Sequence, residues 1–497
     1  MSSTPIQVPP ISISGQPHDP VIVTGIKGLN NSLSDEFIDP QELAEVENYE
    51  LDINQSGVLI KRTGITKNFT TSLTEAVTSI YDGINGDYFS TSTILFTLNG
   101  TERLSGLSST TDPAWTTYTD ITGAKFDIFA NGAQAPRKTS NGTTFAVVGG
   151  SPPSFTDIES YNNMLFGITG NTLRWSQFGE DDIWPAANSL TFDNAPTALR
   201  VYKNVLILFT NNEVRHIQAY SEVDVQITYY STDDGCTSHR SVVVTPFGLF
   251  WWSKNGLVMS QDAQTMIYPV KNKIPSTLNN LNFNRFSLIH GLWNVLEDRL
   301  EYFVFNLGST TIDKKIYFYP RREEALFIGT GDGVKMGASA VVLESGKPNV
   351  YVGSAATGKF VYKQTGDTDD GISVTSTLTT KRIAPVNSNA LKLLRRLTVR
   401  SYIAGNVISQ YKIMLDDLTD PAKTWDLSYA SLKGSSGFLL DTDILDSKTL
   451  TEGVQIPKDT VISLAVRYRK IRHKIVDSSS YRNRFIGIVT EGLVLTT

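Results

Sequence analysis

One cadence constrains this chain more than any other feature: a short apolar run, a pair of turn residues, then another apolar run. It is clearest in YNNMLFGITGNTLRWSQFG (Tyr161–Gly179), YKNVLILFTNNEVRHIQAY (Tyr202–Tyr220) and TPFGLFWWSKNGLVMSQDAQ (Thr245–Gln264). Looser copies follow in LEDRLEYFVFNLG (Leu296–Gly308) and SGKPNVYVGSAATGKFVYKQTG (Ser345–Gly366). Asn and Gly tolerate the positive φ that tight hairpin turns demand, so each copy reads as a β-hairpin. The copies begin near residues 161, 202, 247, 297 and 346, a period of roughly 40 to 50 residues that marks a β-propeller with about four strands to a blade. The expected fold is all-β, with the propeller spanning residues 75–365.

The flanks read differently. Residues 1–20 hold five prolines and no helical period, which predicts an extended arm. Asp39, Pro40 and Glu42 fit an N-cap, a first helical position and a capping box, with Leu43, Val46 and Tyr49 or Glu50 at helical spacing, so a short helix is expected there. GVLIKRTGITKNF (Gly57–Phe69) reads as a strand with a Gly-containing turn, completing an N-terminal segment over 1–74. GDTDDG (Gly366–Gly371) reads as a solvated linker; Leu378 stands where a calcium loop requires Glu. Residues 366–497 then form a basic β domain of sandwich or barrel type, from strand-like runs such as LRRLTVRSYIA and VISLAVRYRKIRHKI.

Composition narrows the chemistry. Charged residues make up 19% of 497, and Cys236 is the one cysteine, so no internal disulfide forms. The five histidines (His18, His216, His239, His290, His473) show no metal-ligand spacing. No apolar run approaches the ~20 residues of a membrane-spanning helix. The opening residues lack a basic start and an apolar core, so no signal peptide is expected and folding in a reducing compartment is. Nucleophile-elbow, phosphate-loop, dinucleotide and H-E-x-x-H motifs do not occur. No catalytic residue, cofactor or metal is expected. Asp181 and Asp182 are adjacent, and in a strand would face opposite ways, a poor acid/base pair. STDDGCTS (Ser231–Ser238) matches part of the Asp box of sialidase-type propellers, a turn-fixing device, and occurs once.

Charge is unevenly spread. Residues 371–497 carry 18 Lys+Arg against 11 Asp+Glu, a net +7, which leaves −13 on the first 370. The densest basic run holds Arg467, Arg469, Lys470, Arg472, Lys474, Arg482 and Arg484 against one acid, Asp477. Its expected partner is anionic: the phosphates of double-stranded DNA, contacted without sequence preference, or an acidic patch on an adjoining subunit.

Several stretches resemble one family. Gly28, Leu29 and Asn30, then Asp39, Pro40, Glu42, Leu43 and Asn48, then Gly57, Lys61, Arg62 and Gly64 follow the opening of tail proteins of short-tailed bacteriophages. The runs Tyr161–Pro185 and Gly235–Leu257 resemble them too. The layout over residues 25–365 is similar to that of the tail nozzle, tubular or packaged-DNA stabilisation proteins. That resemblance implies a structural, non-enzymatic virion protein made in the host cytoplasm. It implies a hexameric ring that meets portal-adaptor and tail fibre or spike proteins, extends and closes the DNA exit channel, and takes part in DNA retention and ejection. The competing reading from the residues is a glycan-binding or glycan-cleaving propeller acting at a host surface.

Overall fold

A computed structural model describes residues 15–32, 38–108, 112–270, 272–322, 325–330, 334–355, 360–384, 389–403, 408–416, 423–428 and 456–495. The chain divides into two compact units, residues 62–374 and residues 1–61 with 375–497.

Residues 62–374 are a β-propeller. Antiparallel sheets follow one another at 79–105, 114–147, 157–191, 196–231, 243–260, 290–330 and 336–364, the last completed by Ile65–Lys67. Six of them have four strands, and the sheet at 243–260 has three. There a single bridge between Met259 and Ile267 stands in place of a fourth strand. The expected turns carry the hairpins. Tyr161 faces Met164 across Asn162 and Asn163 at φ 47° and 56°. Tyr202 faces Val205 across Lys203 and Asn204 at φ 48° and 59°. Both are two-residue turns with positive φ at both centres, whose twist matches that of the flanking strands.

The apolar second strands, such as Val205–Thr210 and Gly248–Ser253, are buried on both faces because each sheet is covered by the sheets before and after it. Wedge-shaped cores fill the gaps: Tyr161, Phe166, Trp175, Leu199 and Leu208 in one, Phe209, Val214, Leu249 and Trp251 in the next. The last wedge joins Ala338, Val342 and Tyr351 to Val77, Ile80 and Phe89. The ring is therefore closed, with Ile65–Lys67 hydrogen-bonded as the outer strand beside Val361–Gln364.

The stretch expected as a solvated linker belongs to this closure. Thr368–Asp369 and Ile372–Ser373 form a small hairpin beside the closing strand, with Asp369 next to Ile65. Asp369 is buried and takes a bidentate ion pair from Arg62, with Nη1 at 2.9 Å from Oδ1. Gly64 is needed there: a Cβ would lie 2.1 Å from the Thr368 carbonyl oxygen.

The second unit corrects two expectations. The N-terminal residues do not stand apart up to residue 74; their strands are built into the sheets of the C-terminal part. Gly15–Pro17 and Val21–Thr24 pair with Arg484–Leu495, which is flanked by Lys392–Ile403 and Leu59–Lys61. Ile456–Tyr468 lies at the other side of Lys392–Ile403. A second sheet runs Glu42–Glu47, Ser376–Thr380, Ile471–Asp477, Ile408–Leu415, Lys423–Ser428.

The expected helix at Asp39 is also a strand, Glu42–Glu47. Asp39 does cap a turn, accepting from Gln41 N at 2.8 Å, but the chain then extends. Opposite it, Glu45 pairs with Thr379 and Leu43 with Thr380, so Ala44 is an extra, bulged residue. A bulge returns residues three apart to one face, and Leu43 and Val46 are both buried. That spacing imitated a helical period. Of the proline-rich arm, residues 1–14 lie outside the described residues, while His18 is buried with its backbone N–H on Gly492 O.

The closing ion pair yields a test. Asp369→Ala leaves the buried Arg62 guanidinium without its carboxylate and is expected to cost on the order of 3 kcal/mol in chemical denaturation. The neighbouring Asp370→Ala removes a half-exposed pair with Lys67 at 2.7 Å and is expected to cost less than about 1 kcal/mol. Equal effects would show that GDTDDG is the linker its composition suggested.

Candidate functional site

The inner strands of the propeller converge on its axis and border a partly open cavity of about 210 Å³, walled in part by Trp115, Asp157, Arg200, Arg240, His290 and Ser339. Arg240 sits on a short 3₁₀ turn, His239–Ser241, ahead of the three-stranded sheet. Its guanidinium crosses the axis. Nη1 donates to Thr78 O at 3.1 Å and Gly337 O at 2.8 Å, and Nη2 to Leu288 O at 3.2 Å and to the Asp112 carboxylate. Thr78, Gly337 and Leu288 belong to, or lead into, three different sheets.

A second arginine lies alongside. Arg200 Nη1 is 3.2 Å from Glu159 Oε2. Asp157 accepts from Leu199 N at 2.7 Å and from Ile158 N at 3.0 Å. Burial outweighs the nearby Arg200 and pushes Asp157 up to about 6 and Glu159 up to about 7. Burial beside Arg240 holds the imidazoles neutral: His239 falls to about 3, and His290 lies well below its ordinary value. Trp115 donates from Nε1 to Ser79 Oγ at 3.1 Å and stacks on Tyr81 at 4.7 Å. A larger hollow of about 430 Å³ lies elsewhere, among Tyr202, Lys203, Phe247, Met259, Phe318 and Pro320, without this density of charge.

The axial groups were not singled out from sequence. They are spread from Ser79 to Ser339, and only ring closure gathers them. The one local signal was polarity in some of the innermost strands, as in Asp157–Tyr161 and His290–Asn294, where packing alone favours apolar residues. Among the described residues, no group of three or more His, Cys, Asp or Glu is placed to hold a metal ion, and no helix is long and apolar enough to cross a membrane.

The basic run is placed quite differently from a free cationic surface. Arg482 reaches the buried carboxylate of Glu50 and donates to Lys61 O at 2.9 Å. Arg484 pairs with Asp52, and Lys474 lies 3.9 Å from Glu45. Arg472 is half-buried, and burial lowers its pKa. Arg467 and Arg469 are exposed near the end of the Ile456–Tyr468 and Ile471–Asp477 strands. The Arg469 and Lys470 backbone N–H groups both donate to Asp416 Oδ1. Residues 1–61 carry 2 Lys+Arg against 9 Asp+Glu, a net −7 that matches the +7 beyond residue 370. Much of the anionic partner is thus the chain's own N-terminal segment.

The remaining motifs have structural roles. Asp181 and Asp182 lie in a turn, not a strand, and both clamp Lys138 Nζ at 2.6 Å. In the Asp-box stretch, Asp233 N donates to Ser231 Oγ, and Gly235 lies so close to Thr210 that a Cβ would sit 1.9 Å from its carbonyl oxygen. His216 Nε2 lies 3.2 Å from Ala263 O.

No protein-family model matches the chain, and no curated protein matches it by sequence. Among solved structures, BamB from Moraxella catarrhalis superposes with a TM-score of 0.37 and 9% identity over 70% of this chain and 98% of that one. The computationally designed protein Ika8 does so with 0.36 and 9% over 60% and 99%.

The axial carboxyls give a pH test. A folded-state pKa raised above the unfolded value stabilises the fold fully below the ordinary carboxylate range and ceases to do so as pH rises through the raised value. For Glu159 that loss runs up to about pH 7, and Glu159→Gln lacks it. The melting temperature of the variant minus that of wild type is expected to climb between about pH 4.5 and about pH 7.5. A flat difference would mean that Glu159 titrates as an exposed carboxylate.

Proposed function

We propose that this chain is a structural virion protein of a short-tailed bacteriophage tail, a nozzle or head-to-tail stabilisation component that assembles as a ring around the DNA exit path. One observation carries the reading: the residues that resemble such tail proteins lie at the points where the scaffold is tied together. Asn30 Nδ2 holds Glu42 at 2.6 Å, and Asn48, at φ 58°, ties its Nδ2 to Thr375 O at 2.8 Å. Lys61 and Arg62 are buried at the junction of the two units' sequences. Trp175, Trp184, Trp251 and Trp252 are buried in the wedges or beside them. The likeness is therefore a likeness of architecture, which suits a rigid assembly component better than a glycan-cleaving enzyme.

Charge supports the same reading. The propeller residues 62–374 carry 24 Lys+Arg against 30 Asp+Glu, and an acidic wall lets DNA pass without adhering. In this role Arg467 and Arg469, exposed while Arg482 and Arg484 are paired internally, are the basic residues placed to meet a neighbouring subunit or DNA.

Light scattering with negative-stain imaging of the purified protein, or of virions carrying it, tests the reading. A sixfold ring supports it; a monomer that turns over a sialoside replaces it with the glycan-active alternative. Deleting residues 1–14 is expected to leave melting unchanged and to abolish incorporation into particles, since Ile6, Val8, Ile11 and Ile13 then offer a neighbour no apolar arm. For the basic run, reversing Arg467 and Arg469 to Glu is expected to weaken docking while the monomer stays folded. Steep salt dependence of duplex DNA binding, lost in that variant, would instead assign the partner as DNA.

A further inference from the structure

We propose that the axial cavity of the propeller binds a small oxyanion, a phosphate or carboxylate group, between Arg200, Arg240, His290 and Ser339. Donors predominate among the unpartnered polar atoms of its wall, where His239 Nε2 is an unpartnered ring nitrogen as well. Arg200 Nε, Arg240 Nε and Ser339 Oγ are buried and have no partner, and all three can donate. His290 is 1% exposed, its ring stacked on Phe303 at 4.6 Å. It leans towards the Leu288 carbonyl, but neither ring nitrogen makes a well-formed hydrogen bond.

Each carboxylate nearby already holds a donor. Asp112 is taken by Arg240, Glu159 by Arg200, and the two Asp157 oxygens by the N–H groups of Ile158 and Leu199. Buried donors without acceptors are rare in folded proteins, and a group of them on one wall calls for an acceptor-rich occupant. A cavity of about 210 Å³ admits one phosphate-sized group with a few waters, at roughly 30 Å³ per water.

The charges around the cavity set how binding varies with pH. Arg200, Arg240 and Lys315 are the cations that face its groups; Asp112, Asp157 and Glu159 are the carboxyls; Tyr81, His239 and His290 complete the titratable set. The two imidazoles stay neutral through the neutral range, while Glu159 and Asp157 take up protons as pH falls through about 7 and about 6 respectively. Each proton removes a negative charge that repels an incoming anion, so affinity is expected to rise on acidification.

Isothermal titration of the full-length protein with inorganic phosphate, and separately with succinate, tests this. Saturable one-to-one binding of at least one probe below about 10 mM, tighter at about pH 5.5 than at about pH 7.5, is expected. Ser339→Ala and His290→Gln leave both guanidinium groups in place and are each expected to weaken it roughly tenfold. Arg200→Gln is expected to abolish it; if that variant does not fold, the first two decide. Phosphate binding alone assigns a phosphoryl ligand, and succinate binding alone a carboxylate. No saturation by either probe, or binding unchanged in Ser339→Ala and His290→Gln, overturns the proposal and leaves the donors to water. The result does not bear on ring assembly, so the two readings fail separately.

Discussion

The Arg240 guanidinium is the contact on which the propeller most depends. Where the inner strands meet at the axis, backbone carbonyls must still find donors. Arg240 supplies those donors to Thr78, Gly337 and Leu288, and sets its charge against Asp112. A planar group with five N–H donors suits this task, whereas lysine offers a point charge and three. Burying that charge is costly, and the Asp112 carboxylate together with the carbonyl dipoles offsets the cost. Sheets on opposite sides of the ring are thereby joined through one side chain.

Arg240 is aimed by the segment before it. The turn at Ser231 and Asp233 ends one sheet, and Cys236 N donates to Thr210 O of that sheet. Thr237 N then donates to Trp252 O in the next sheet, and Ser241 Oγ closes the 3₁₀ turn onto Ser238 O. The Asp-box match is thus a positioning device for the hub. Its lack of repetition follows: one ring needs one such arginine.

Legibility from sequence followed the range of the interactions. Hairpin turns are decided by neighbouring residues, so Asn162–Asn163 and Lys203–Asn204 disclosed their sheets and the period. The first two sheets, 79–105 and 114–147, have turn pairs too, at Asn99–Gly100 and Thr122–Gly123, but some of their strands are short and polar, as in Glu102–Ser105 and Arg137–Thr139, so they gave no copy of the cadence, although they fell within the expected body. The strand at Glu42–Glu47 was misread because a bulge at Ala44 imitates helical spacing, and no local feature separates the two. The pairing of Arg482 with Glu50 and Arg484 with Asp52 spans over 400 residues, as does the insertion of Gly15–Pro17 beside the last strand. Only the opposite net charges of the chain's two ends hinted at it. The axial cluster was illegible for the same reason, since it exists only once the ring has closed.

The hub also limits how a tail component of this kind would work. A side chain tied to sheets on both sides of the axis blocks that axis, so DNA in the proposed role cannot thread a propeller. It has to pass between copies, along their outer surfaces, and selection for an anion-repelling wall then acts on blade rims and connecting loops. Residues at the axis are left free for another task. That division accounts for a propeller that is acidic overall yet concentrates Arg200 and Arg240, with unpaired donors, at its centre. In the proposed role, the unpartnered donors of Arg200 and Arg240 lie where DNA passing outside the propeller would not meet them.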